Sequence, residues 1–211
     1  MSRYATTLIN FWHSIALFAA LGFFLGVALS FVRPLEYSST TRLLILQQIG
    51  AVDAYTASRA AERVADDLAN IIYTTTFYDK VIAASSNIDE RYFGDDEHAR
   101  RKKWERTVEA IVERGTGLLE IRVYHTDVTQ AELMARAVAS VLVTEGWTFT
   151  SGGSISIQQV DDPLNSRWPV RPNVPVNGFT GLFLGGLAGI AYVFLKAEKI
   201  RRQHQIFHQE T

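Results

Sequence analysis

The chain contains no cysteine, which excludes disulfide stapling, thiolate metal sites and cysteine nucleophiles while remaining compatible with either side of a membrane. It has no excess of one charge either: 21 Lys and Arg stand against 22 Asp and Glu, so nothing global points to nucleic acid as a partner. No GxxxxGK[ST] loop occurs, and no glycine-rich dinucleotide fingerprint follows a strand, which argues against an encoded kinase or ATPase domain. GxSxG and His-Glu-x-x-His are missing too, leaving no serine-hydrolase elbow and no zinc-protease helix. The expectation is a chain that is not an enzyme and needs no cofactor or metal. Proline is scarce, five residues in all, yet four of them, Pro163, Pro169, Pro172 and Pro175, fall near the C-terminal end.

What is present is asymmetry, with two apolar ends around a polar middle. Ile15 to Val32 is an uncharged run preceded by Phe11, Trp12 and His13 and stopped by Arg33 and Pro34. Its length approaches the roughly 20 residues that a helix needs to cross a bilayer, and aromatic flanks suit headgroup depth. A secretory signal peptide is the competing reading, with Ala28-Leu29-Ser30 as an acceptable cleavage site. A second uncharged run, 176–195, follows the prolines. The three-residue proline period suits a polyproline II strut over 163–175, with Trp168, Arg171 and Val174 extended and no helix starting there. Lys196, Lys199, Arg201 and Arg202 form a basic flank after the second run. By the positive-inside rule this flank places both termini in the cytoplasm and the middle outside. The expected organisation is a cytoplasmic segment 1–14, a first span 15–32, an extracytoplasmic domain 33–162, the strut, a second span 176–195 and a cytoplasmic tail 196–211.

The middle alternates between two periods. Tyr37 to Leu46 is rich in β-branched and apolar residues, as in a strand leaving the membrane, and Gly50 and Asp53 end it. Ala57, Ala61, Val64, Ala65, Leu68 and Ile72 recur at helical spacing, and Phe77, Tyr78, Val81 and Ile82 repeat it briefly. A charged helix is expected from Asp95 to Glu113, with Trp104, Val108, Ile111 and Val112 on one side. Its Arg100-Arg101-Lys102-Lys103 run reads as a solvated face among nearby acids. Gly115 and Gly117 turn into a strand over Leu118 to Tyr124, then Asp127 and Gln130 form a capping box for a helix burying Ala131, Met134, Val138, Val141 and Leu142. After Gly152-Gly153, Ser154 to Val160 reads as the last strand. The expected fold is an α+β outer domain, a mixed sheet with helices, anchored by two transmembrane helices, with first and last strands paired.

Three polar clusters receive bland readings. His204 and His208 have a metal-compatible i,i+4 spacing but no third ligand nearby. His125 beside Asp127 resembles half of a proton relay. Asp161-Asp162 resembles a carboxylate pair, but a solvated turn before Pro163 is the better reading.

Taken in order, the first span, YSSTTRLLIL, LLEIRVYHTDVTQAELMARAVAS, RWPVRPNVP and GFTGLFLGGLAGIAYVFL resemble the Wzz-type chain-length determinants, or polysaccharide co-polymerases. By position, Pro169, Pro172 and Pro175 match that family's proline motif. Gly178, Gly181, Gly185, Gly186 and Gly189 match its glycine-rich second helix. Val176-Asn177 stands where a basic residue is usual, and the outer domain lacks the long helical extension of larger members. The resemblance implies a ring-like homo-oligomer in the bacterial inner membrane that sets polysaccharide length with a Wzy-type polymerase. It also leaves two alternatives: an adaptor for a separate cytoplasmic tyrosine kinase, and a ligand-sensing outer domain. Independently, Gly181, Gly185 and Gly189 make a stripe on which another helix packs closely, either the chain's own first span or a neighbour's.

Overall fold

The computed structural model describes residues 11–48, 53–150 and 154–207. The turn expected at Gly50 and the loop at Gly152-Gly153 lie outside these residues, as do residues 1–10 of the N-terminal segment, His208 and the side chains of Arg201, Arg202 and His204. Two compact units emerge, one formed by Glu36–Val170 and the other by Met1–Leu35 together with Arg171–Thr211.

The Glu36–Val170 unit is an α+β fold on one four-stranded sheet. Its strands are β1 (Tyr37–Gln48), β2 (Val108–Glu113), β3 (Leu118–His125) and β4 (Ser154–Asn165), ordered β2-β3-β1-β4. Every neighbouring pair is antiparallel, so the expectation of a mixed sheet gives way to a purely antiparallel one. The first and last strands are adjacent, as their sequence suggested, with Ile45 opposite Ile157 and Leu43 opposite Gln159.

Alternation along β1 sends Leu43 and Ile45 to a buried face with Leu119, Ile121 and Val123 of β3. Among the described residues four α-helices belong to this unit: α2 (Ala54–Ile71), α3 (Thr75–Ala84), α4 (Glu97–Thr107) and α5 (Val128–Glu145). Asp53, Thr74, Asp96 and Asp127 cap them, each side chain accepting a backbone N–H of the first turn. Leu68, Val64, Met134, Val138 and Leu142 from α2 and α5 complete the core. A second aromatic layer is anchored by Trp104, whose Nε1–H donates to the carbonyl of Ile72 at 2.7 Å. Tyr78 and Phe93 pack edge-on against its ring.

Three local expectations change. Residues 108–113 leave the helix and pair with β3, Ala110 opposite Ile121. Trp104, Val108, Ile111 and Val112 have helical spacing, but β3 offers an unpaired edge, and Gly115 (φ 76°) and Gly117 (φ 70°) supply the left-handed turn that a hairpin needs. Gln130 does not close a capping box. Its amide instead bridges to the 87–89 loop, accepting from the Asp89 N–H and donating to the Asn87 carbonyl. The third change concerns the prolines. Pro163 lies inside β4, Pro175 inside a helix, and only Pro169 and Pro172 lie between these elements, so 163–175 is not one polyproline II element. β4 is an edge strand whose register against β1 slips between Thr40 and Leu43. Bulges of that kind are where a sheet tolerates proline, and Thr41 Oγ1 donates to the Asp161 carbonyl there at 2.7 Å.

The other unit holds α1 (Trp12–Ser30) and α6 (Val174–Phe207). Both are long and apolar enough to cross a membrane, over Trp12–Ser30 and Val174–Lys199. Compared with the expected spans, α1 begins earlier and ends before Phe31 and Val32, and α6 begins at Val174. The start of α6 is set by Asn173, whose Oδ1 accepts the Val176 N–H. Pro175 falls in the first turn, where a missing N–H costs nothing. The helix also runs on through Lys196 and Lys199 rather than stopping at Leu195.

Candidate functional site

α1 and α6 are antiparallel neighbours joined by backbone contact. A Cβ placed on Gly22 would collide with the carbonyl oxygen of Gly181, and one on Gly181 with the carbonyl oxygen of Gly22. Gly26 approaches the Asn177 carbonyl, Gly185 the Phe18 carbonyl, and Gly189 the backbone of Ile15. In glycine the vacant Cβ direction holds a hydrogen, so these approaches form a ladder of Cα–H···O=C contacts, each worth about 0.5–1 kcal/mol net.

The stripe Gly181, Gly185 and Gly189 packs here on the chain's own first helix, one of the two partners the sequence left open. Gly178 meets the ring of Phe23, while Gly186 only approaches Ala19 Cβ at 4.0 Å and lies at the margin of the contact. The matching stripe on α1 is Gly22, Gly26 and Ser30. Sequence reasoning missed it, although its i, i+4, i+8 spacing was visible. At one end Asn177 Nδ2 donates to Ser30 Oγ at 2.9 Å, and Ser30 Oγ donates to the Gly26 carbonyl at 2.9 Å. This half-buried polar clasp ties the two helices together at that end. At the opposite end the Phe18 and Tyr192 rings stack 5.2 Å apart, and Lys196 Nζ lies 5.4 Å from the Phe11 ring centroid.

One side of this pair is open. A groove of about 700 Å³ runs along it, from Phe18 and Ala188 past Gly22, Leu25 and Thr180 to Ser30, Arg33, Pro172 and Asn177.

In the sheet unit, the face opposite the helices carries a row of charge across all four strands. Glu120 on β3 lies directly opposite Arg42 on β1, accepts from its Nε at 2.9 Å, and is also bound by Arg122 Nε at 2.6 Å. Asp161 of β4 extends the row beyond Arg42 at 3.7 Å. On β2, Glu109 accepts from the Tyr124 hydroxyl at 2.5 Å. Burial acts to raise the Glu120 pKa, but the two guanidinium hydrogen bonds outweigh it and hold the carboxyl below the usual carboxylate range. At the far side, Asn165 and Arg136 lower the pKa of Glu132 in the same way.

The remaining polar candidates are separated by the fold. The backbone N–H of Asp127 donates to His125 Nδ1 at 2.9 Å, while the Asp127 carboxylate caps Thr129, so this carboxylate does not orient the imidazole as a relay requires. Burial pushes the His125 pKa below its ordinary value. Its ring lies tilted against that of Tyr92, the centroids 4.0 Å apart, and Lys103 Nζ lies 3.7 Å from the centroid of that tyrosine. Asp161 and Asp162 pair with different arginines, Arg42 and Arg136, and do not share a proton site. Among the described residues no group of three or more His, Asp or Glu is placed to hold a metal ion.

No protein-family model matches this chain, and comparison with curated proteins finds no match.

Proposed function

We propose that this chain is a two-pass membrane protein of the polysaccharide co-polymerase type. In this reading the sheet unit lies outside the bacterial inner membrane, both termini lie in the cytoplasm, and several copies form a ring that scaffolds a Wzy-type polymerase. The observation that carries it is one of connectivity. The paired first and last strands of one sheet, β1 and β4, are each joined by a short segment to a helix long and apolar enough to cross a bilayer. A domain so inserted is held by both chain ends, an arrangement suited to setting a spacing at the membrane rather than to chemistry.

A length-regulating role predicts a specific phenotype. Deleting the gene should broaden the ladder of surface-polysaccharide lengths on a gel, and restoring it should bring back the modal length. An unchanged ladder rejects the role. Substituting Pro169, Pro172 and Pro175 by alanine should shift the modal length without preventing membrane insertion.

One observation favours a second reading, that of a kinase adaptor: α6 continues as helix through Lys196 and Lys199 to Phe207. A cytoplasmic tyrosine kinase that co-purifies with the full chain, and is lost when residues 199–211 are removed, would select this reading.

A further inference from the structure

We infer that the open groove along the α1–α6 pair is a binding site for one phospholipid with an anionic head group, its acyl chain lying in the groove and its phosphate at Arg33. The inference rests on the reading of these two helices as membrane spans, and goes beyond it by assigning the groove an occupant.

Three observations point to that ligand. The groove, of about 700 Å³, is in the range of small-molecule pockets, and glycines on both helices leave backbone as part of its lining. Its length suits one leaflet. From Phe18 to Ser30 the helix rises about 18 Å, against about 15 Å for half of the hydrocarbon core. Arg33, three residues beyond Ser30, then falls at headgroup depth.

The third observation is chemical. The apolar length of the groove ends among polar groups, with Ser30, Asn177 and Arg33 at one mouth. Ser30 and Asn177 are already engaged with each other. Among the described residues Arg33 makes no hydrogen bond or ion pair, and its guanidinium presents a fork of donors suited to a phosphate. A guanidinium at the mouth of an apolar groove between two spans suits the phosphate of an anionic head group. A zwitterionic lipid offers the same acyl chain, but its own cation competes for the phosphate.

The test uses the full chain in nanodiscs of mixed phosphatidylglycerol and phosphatidylcholine, released into the gas phase for native mass spectrometry. The expected result is one retained phosphatidylglycerol per chain in excess of its share of the bilayer. Arg33→Gln should lower that occupancy roughly tenfold, the loss of about one charge-assisted hydrogen bond. Thr180→Phe, which fills the groove from α6, should abolish retention of either lipid. Equal retention of the two lipids by the wild-type chain overturns the inference without requiring any variant. So does a Thr180→Phe chain that keeps its lipid but loses self-association, because the groove then seats a helix of a second copy. If the chain washes from membranes with alkaline carbonate, the spanning reading itself fails and the lipid site fails with it.

Discussion

Gly22 and Gly181 face each other so closely that each one's absent Cβ would fall within the other's carbonyl. The contact is reciprocal, and with Gly26 and Gly185 it brings two helix backbones together over two turns. Lipid tails are as apolar as leucine, so in a bilayer this close approach, rather than hydrophobic burial, favours the paired state. The Asn177–Ser30 clasp fixes the register at one end.

Gly181→Ala should therefore destabilise the helix pair by about 1–3 kcal/mol, the usual cost of overpacking a close contact. Gly186→Ala should be near neutral, because the nearest atom, Ala19 Cβ, is 4.0 Å from the added methyl. Thermal unfolding of the two purified variants in detergent, followed by circular dichroism, compares them directly. Equal melting temperatures would mean that the glycine ladder contributes nothing.

Trp104→Phe keeps most of the buried ring but removes the donor to the Ile72 carbonyl. A buried acceptor left unpaired costs about 1–3 kcal/mol. The sheet unit should lose that much stability in urea unfolding followed by the remaining tryptophans, while the midpoint of Phe93→Leu shifts through packing alone.

The buried ring of His125 makes stability depend on pH. Its folded pKa is lowered by burial, so as pH drops below about 6.5 the unfolded chain takes up a proton that the folded chain resists. Stability should fall across that window until the folded group titrates. Asp127, Asp89 and Lys103 all act on this imidazole, so the control is His125→Asn, which retains an acceptor for the Asp127 N–H. The decline from pH 6.5 to 5 should flatten in that variant, as read from denaturation midpoints at each pH.

Glu120 has the opposite charge type but the same direction of effect, in a lower window. Its pKa is depressed, so its contribution is present above the ordinary carboxylate value of about 4.3 and is lost as pH falls through the folded value. Glu120→Gln should weaken the folded state at neutral pH and remove this acid limb. Because Arg42 is half exposed, with 53 % of its side chain accessible, the loss should stay near 1 kcal/mol or less. High salt should narrow the difference between Glu120→Gln and the parent chain.

Much of the architecture was legible from local pattern. Leu119, Ile121 and Val123 alternate with Glu120, Arg122 and Tyr124, Ala57 to Ile72 repeat at helical spacing, and two uncharged runs have spanning length, each a signal carried by a single element with one buried face or none. Asp127 announced a helix start because a cap bonds within its own first turn. Elements whose state depends on a distant partner were not legible. Residues 108–113 satisfy both periods, and only the free edge of β3 makes them a strand. Pro163 reads as polyproline II until a bulge against β1 absorbs it. The glycine stripe on α6 was visible, but its partner was not: small residues specify only that two backbones can come close, and chain connectivity together with the Asn177–Ser30 bond decides which two. The groove and its cationic mouth arise from that pairing, because they are formed by side chains more than 130 residues apart in sequence, such as Arg33 and Pro172, which no local period relates.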